Sequence, residues 1–100
     1  MPFVLKPTRQ AREQLIALKE NPSKAVIFKA VNKALHYLKV DPRHKSLNTH
    51  KYQTLTGPSG EDVFEAYAQN DTPGAYRIFF CYGTGADRGS LIILAITPHP

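Results

Sequence analysis

The sequence predicts an α+β fold: a strand, a pair of helices, then three strands joined by short connections. Three observations carry that prediction. Apolar residues recur every three or four positions between residues 8 and 40, alternate at a spacing of two from residue 63 onward, and are punctuated by proline and glycine between these stretches. The 100 residues are 42% hydrophobic and 10% aromatic, which is enough for a core and too apolar for a disordered chain. One domain spanning residues 1–100 is expected.

The first strand is expected at residues 3–6, closed by Pro7. Thr8 is then placed as a helix N-cap, because its hydroxyl can accept from the free N–H groups of the first turn. Ala11, Leu15 and Leu18 share one helical face, and the helix ends before Pro22, since a residue preceding proline is pushed out of the helical region. Pro22 suits the first position of a second helix capped by Asn21. Its stripe is Ile27, Val31, Leu35 and Leu38, and Asp41 with Pro42 stops it. Helices joined by so short a turn form an antiparallel hairpin.

Residues 43–61 show no period. In a small domain so long an irregular stretch is either functional or conceals a short strand. Residues 63–68 then alternate Phe64, Ala66 and Ala68 against Val63, Glu65 and Tyr67, and residues 75–82 alternate Tyr76, Ile78, Phe80 and Tyr82 against Arg77, Phe79 and Cys81. Residues 70–74 and 83–90 have turn composition. Residues 91–96 are apolar at every position, as in a strand covered on both faces. These three C-terminal strands should pair antiparallel, with the helical hairpin burying its stripe on one sheet face.

Charge is unevenly spread. Of the net +5, residues 1–51 contribute eleven Lys/Arg against three acidic residues, whereas residues 52–100 contribute two against five. A basic front half fits a polyanionic partner, nucleic acid first. The single cysteine, Cys81, excludes an internal disulfide framework, and the four histidines lack metal-ligand spacing. No apolar run approaches the roughly 20 residues of a membrane span. The opening residues have no basic region before an apolar stretch, so no signal peptide is expected and the cytoplasm is the expected location.

The order and spacing of several pieces resemble the RelE/ParE superfamily of toxins from type II toxin–antitoxin pairs. They are residues 15–22, Leu55-Thr56-Gly57, Phe64-Glu65-Ala66, Tyr76-Arg77-Ile78-Phe79-Phe80 and residues 91–99. The resemblance implies a RelE-like fold and a small basic toxin that cleaves mRNA in the ribosomal decoding site. It also implies a cognate antitoxin, the ribosome and mRNA as partners, and no cofactor. The ParE branch shares the fold and acts on DNA gyrase. A non-enzymatic gyrase inhibitor, or a degenerate member keeping only antitoxin binding, is therefore the alternative, and the site has to choose.

RNA cleavage of this kind turns the 2′-hydroxyl on its own adjacent phosphate. It needs a proton acceptor, a cation for the charge growing on the phosphoryl oxygens and an acid for the leaving oxygen, but no metal. Arg77 is the first candidate for the cation, because it breaks an apolar strand, its planar fork fits phosphate in two-point contact, and it matches the family's functional arginine. Its structural alternative is an arginine whose stem packs across the sheet while its head reaches solvent or Glu65. His99 is the candidate acid or base, since imidazole titrates near neutrality and this place holds a functional arginine, histidine or tyrosine in catalytic relatives. Its alternative is a frayed end. Glu65 can serve as carboxylate base or orient His99 or Arg77. His50 and Lys51, in the aperiodic stretch, can hold phosphate or assist proton transfer, and Lys45 is a weaker candidate of the same kind. Tyr67 and Tyr82 can stack on bases. Many active relatives carry a second basic residue near Tyr67. Here the second half of the chain has only Arg77 and Arg88, so either catalysis is weak or Lys51 and His50 must supply the remaining charge. Cys81 reads as a small buried apolar side chain rather than a nucleophile, and the Gly83-Thr84-Gly85 stretch, with no helix behind it, is not a phosphate loop.

Overall fold

Thr8 opens the first helix as its residue type requires: the hydroxyl oxygen accepts from the Ala11 N–H at 3.1 Å, and the hydroxyl itself donates to the Leu94 carbonyl at 3.1 Å. One side chain thus caps a helix and ties it to the last strand. The structure, a computed structural model, describes residues 2–70 and 72–99. Its elements are β1 (Val4–Pro7), α1 (Arg9–Glu20), α2 (Ala25–Val40), β2 (His50–Thr56), β3 (Asp62–Tyr67), β4 (Tyr76–Tyr82) and β5 (Ser90–Pro98). Three single 3-10 turns, Pro22–Lys24, Lys45–Leu47 and Gly85–Asp87, lie between them.

Two expectations need correction. Asn21 does act as a cap, but for the 3-10 turn. Its side chain accepts from the Ser23 N–H and hydroxyl at 3.0 and 2.7 Å, and α2 begins three residues later than expected, at Ala25, without a side-chain cap. The aperiodic stretch contains β2, so four strands follow the helices rather than three. The strand escaped the periodicity argument because β2 is an edge strand exposed along nearly its whole length, with no buried face to impose alternation.

The sheet order is β1-β5-β4-β3-β2, with β1 parallel to β5 and every other pair antiparallel. Both helices pack on one face, α1 over β5 and α2 over β4. The core between the layers holds Leu18, Val31, Ala34 and Leu38 from the helices against Ile78, Phe80, Leu91, Ile93 and Ile96, all nearly inaccessible to solvent. Leu15, Ile27 and Leu35 of the predicted stripes pack around it, half-buried. The other face carries the side chains that matter for chemistry, and an irregularity in β5 decides which those are. Phe79 pairs with Ala95 but Phe80 pairs with Ile93, which leaves Leu94 as an extra residue in β5. Such a bulge reverses which side chains point which way beyond it. Leu91 and Ile93 face the helices on one side of the bulge and Ile96 on the other. Thr97, opposite Arg77, therefore turns to the open face, and His99 follows it two residues on.

Candidate active site

Glu65 is the hub. It sits on β3 on the helix-free face, 1% exposed, beside buried Val63 and Phe79. A lone carboxylate in such surroundings would be costly, and burial of a charge is tolerated when partners compensate it. Three partners do so, each from a different strand or its end. His50 at the start of β2 is the register partner of Glu65 and brings Nε2 to 2.8 Å from Oε1. His99, just past β5, brings Nδ1 to 3.0 Å from Oε2. Arg77 on β4 brings Nε to 3.7 Å from the same Oε2.

Arg77 is only 8% exposed. Its Nη1 donates to the Gln69 carbonyl at 2.6 Å, and its guanidinium lies 3.7 Å over the ring of Tyr67, its register partner across β3 and β4. The Nε is buried with no hydrogen-bond partner among the described residues. Of the two ends its structural alternative allowed, solvent or Glu65, the arginine thus takes Glu65, and the same contacts hold a preformed cation at the edge of two histidines. His99 is tied to the sheet through its backbone. Its backbone N–H donates to the Ala75 carbonyl at 2.8 Å, fixing the segment beyond β5 to the start of β4. Its side chain is about half exposed, with Nε2 making no hydrogen bond among the described residues.

Of the sequence candidates, Glu65, Arg77, His99, His50 and Tyr67 meet in this cluster, and the edge of Tyr67 also faces the His50 ring at 5.6 Å. Lys51 does not join it. Lys51 is the register partner of Phe64, on the opposite side of the strand from His50, and its ammonium pairs with Asp62 at 3.3 Å. Tyr82 is also elsewhere. It stands on the helix side of β4, its ring against Phe3, Phe64 and Phe80, and its hydroxyl is pushed above the ordinary 10.0 chiefly by burial, with Arg43 opposing and Asp41 adding. Lys45 is exposed on the 3-10 turn before β2. It shares with Arg43, His50, Phe64 and Tyr82 a cleft of about 630 Å³ that opens beside the cluster. Sequence reading missed two backbone groups that orient the site, the carbonyls of Gln69 on Arg77 and of Asn48 on His50. Carbonyls carry no residue-type signal, so nothing in the sequence marks them. Among the described residues no three His, Cys, Asp or Glu side chains are grouped as metal ligands.

Cys81, on the same face of β4, is 1% exposed, and its thiol is pushed above the ordinary 9.0 by burial first and then by the Glu61 carboxylate. A thiol-specific reagent should therefore leave the folded chain unmodified at neutral pH and react at once on unfolding; rapid labelling of folded protein would contradict this placement. Both Cys81 and Tyr82 keep their protons longer folded than unfolded. Their contribution to stability is intact below pH 9.0 and is lost as pH rises through 9.0 and then 10.0, because the unfolded chain ionises first.

No protein-family model and no curated protein matches the sequence. Solved structures that match include the archaeal RelE–RelB complex from Pyrococcus horikoshii OT3, with a TM-score of 0.62 at 20% identity over 98% of this chain and 96% of that one. They also include the YoeB dimer from Staphylococcus aureus, with a TM-score of 0.63 at 14% identity over the whole of both chains. The fold is RelE-like. Within this RelE-like frame the helices cover one sheet face, and the charged cluster occupies the other, where strands β2 to β5 converge at one end.

Proposed function

We propose that this chain is the toxin of a toxin–antitoxin pair and cuts mRNA on the ribosome by acid/base chemistry supplied by its own side chains. The observation that carries the reading is the buried Glu65 carboxylate holding His99 by Nδ1 while Nε2 stays open to solvent. When Glu65 accepts from Nδ1–H, the lone pair of the imidazole sits on Nε2, the outward nitrogen, ready to take a proton from a 2′-hydroxyl or, once protonated, to return one to the leaving oxygen. Arg77 places a permanent positive charge beside that point, where phosphoryl charge grows. The likeness to RelE and YoeB structures supports the fold-level part of the reading. That the archaeal RelE was solved with RelB supports a protein partner of antitoxin type for this chain as well. The basic residues of the helices and of the segment before β2 suit an acidic partner segment or the ribosome surface. No helix among the described residues is long and apolar enough to cross a membrane.

The test is direct. Purified chain is added to a translating extract and the mRNA ends are mapped by primer extension. Wild type is expected to cut only ribosome-bound message, and His99→Ala to slow cutting about 10²–10⁴-fold, the usual contribution of a positioned proton carrier. Full cutting by His99→Ala would remove the proposed chemistry. Blocked DNA supercoiling with intact mRNA would replace it with the gyrase reading.

A further inference from the structure

Strands β3 and β4 part at Gln69, and the manner of their parting fixes the Arg77 guanidinium. Beyond the Tyr67–Arg77 pair, the Tyr76 carbonyl accepts from two successive N–H groups, those of Ala68 at 3.1 Å and Gln69 at 3.2 Å. Two residues thus stand opposite one, as in a bulge. In an antiparallel ladder the Tyr76 N–H would donate in return to the main-chain carbonyl of its partner. Here it donates to the partner's side chain instead, to Gln69 Oε1 at 3.1 Å. The main-chain carbonyl of Gln69 is released from the ladder, and it accepts from Arg77 Nη1 at 2.6 Å.

The two duties exclude each other. A ladder carbonyl lies in the sheet, whereas side chains stand roughly perpendicular to it, so a carbonyl that serves Tyr76 is turned away from Arg77. Residue type decides which duty is met. Glutamine carries an acceptor at the end of its stem, leucine of similar size has none, and asparagine is one methylene shorter. Gln69 and Tyr76 are both half-buried, so a Tyr76 N–H without its side-chain acceptor would draw the main-chain carbonyl back. The other holds on Arg77 are looser. Its Nη1 is 3.4 Å from the Tyr76 carbonyl, its Nε is 3.7 Å from Glu65 Oε2, and Tyr67 offers a ring face.

We propose that Gln69 is a positioning residue for Arg77. Its side chain stands in for its own main-chain carbonyl in the ladder, and so frees that carbonyl to hold the guanidinium. The inference deepens the ribonuclease reading and rests on it only for the effect on rate. The hold on the arginine is a property of the folded chain.

The experiment is a side-chain ¹H–¹⁵N spectrum of the uniformly labelled full chain, recorded in the cold so that bound guanidinium protons resolve. Wild type is expected to show a separate, slowly exchanging Nη1 resonance for Arg77, while exposed Arg88 gives one averaged signal. Gln69→Leu should lose that separate resonance while the Tyr76 amide stays protected, because the main-chain carbonyl has moved to it. Gln69→Glu, which keeps an acceptor oxygen, should retain it. A leucine variant that still holds Arg77 Nη1 overturns the proposal, and so does a wild-type Arg77 that is already averaged. If leucine does not fold at this place, Gln69→Asn carries the same expectation and the same refutation. In the cleavage assay Gln69→Leu should lower kcat about tenfold, less than loss of the arginine itself, with KM unchanged and most of the rate kept by Gln69→Glu. A released Arg77 that cuts at the full rate overturns the positioning role. A wild-type chain that cuts no RNA refutes the ribonuclease reading alone, and the spectrum still decides whether Gln69 holds the arginine.

Discussion

Glu65→Ala is expected to destabilise the chain by about 3–5 kcal/mol, the usual cost of stripping one partner from a buried ion pair. Arg77 would be left buried against the Tyr67 ring without a counter-charge, and His50 and His99 would each lose their contact with the carboxylate. Set against a total of roughly 5–15 kcal/mol for a chain of ordinary stability, that loss is severe. Denaturant midpoints at constant slope would measure it. Two companions separate charge from shape. Glu65→Gln keeps volume and hydrogen-bonding atoms and should lose less than the alanine variant. The double replacement Glu65→Leu with Arg77→Met removes both charges and should recover most of the stability, since apolar pairs of similar volume commonly replace buried ion pairs at no cost. A Glu65→Ala chain within about 1 kcal/mol of wild type would mean that this cluster does not hold the strands together.

The second large effect concerns rate. Under the proposed ribonuclease function, Arg77→Ala should slow RNA cleavage about 10²–10³-fold, the scale on which a preorganised donor at developing charge contributes. The double replacement above is the better test, because it should be folded and still inactive. Arg77→Lys is expected to rescue little. A guanidinium lies flat on Tyr67 at 3.7 Å while Nη1 donates to the Gln69 carbonyl, and an ammonium on a flexible stem reproduces neither the stack nor the fork. Cleavage at the wild-type rate by a folded Arg77→Ala chain would remove this residue from the chemistry.

How much of this was legible in the sequence depended on whether the deciding force was local. The Thr8 cap, the stops at Asn21 and Asp41 and the alternation in β3 and β4 are written in neighbouring residues, and the structure shows each. The same alternation set Glu65, Tyr67 and Arg77 on one face. It also set Tyr82 on the other, a signal that stood against placing Tyr82 with Arg77. What was not legible came from pairing between distant segments. β2 has no buried face, and its register with β3 shifts between Lys51 and Thr56, so nothing in residues 43–61 announced that His50 would stand opposite Glu65 and Lys51 would not. The parallel pairing of β1 with β5 joins residues more than eighty positions apart and leaves no mark in either strand. The bulge at Leu94 is hidden in a run that is apolar throughout, where a change of face alters no pattern.

The position of β5 has a consequence for biosynthesis. The strand that lies between β1 and β4 is the last of the five to leave the ribosome, so the sheet cannot close while residues 90–98 are still unmade. Until then β1 has no partner, β4 has one bare edge and His99 does not yet exist beside Glu65. Long-range pairings of this kind also form slowly, because the intervening chain must be ordered before they are rewarded. A nascent chain of this topology therefore lacks the complete charge cluster until the strand at the centre of these pairings has been made.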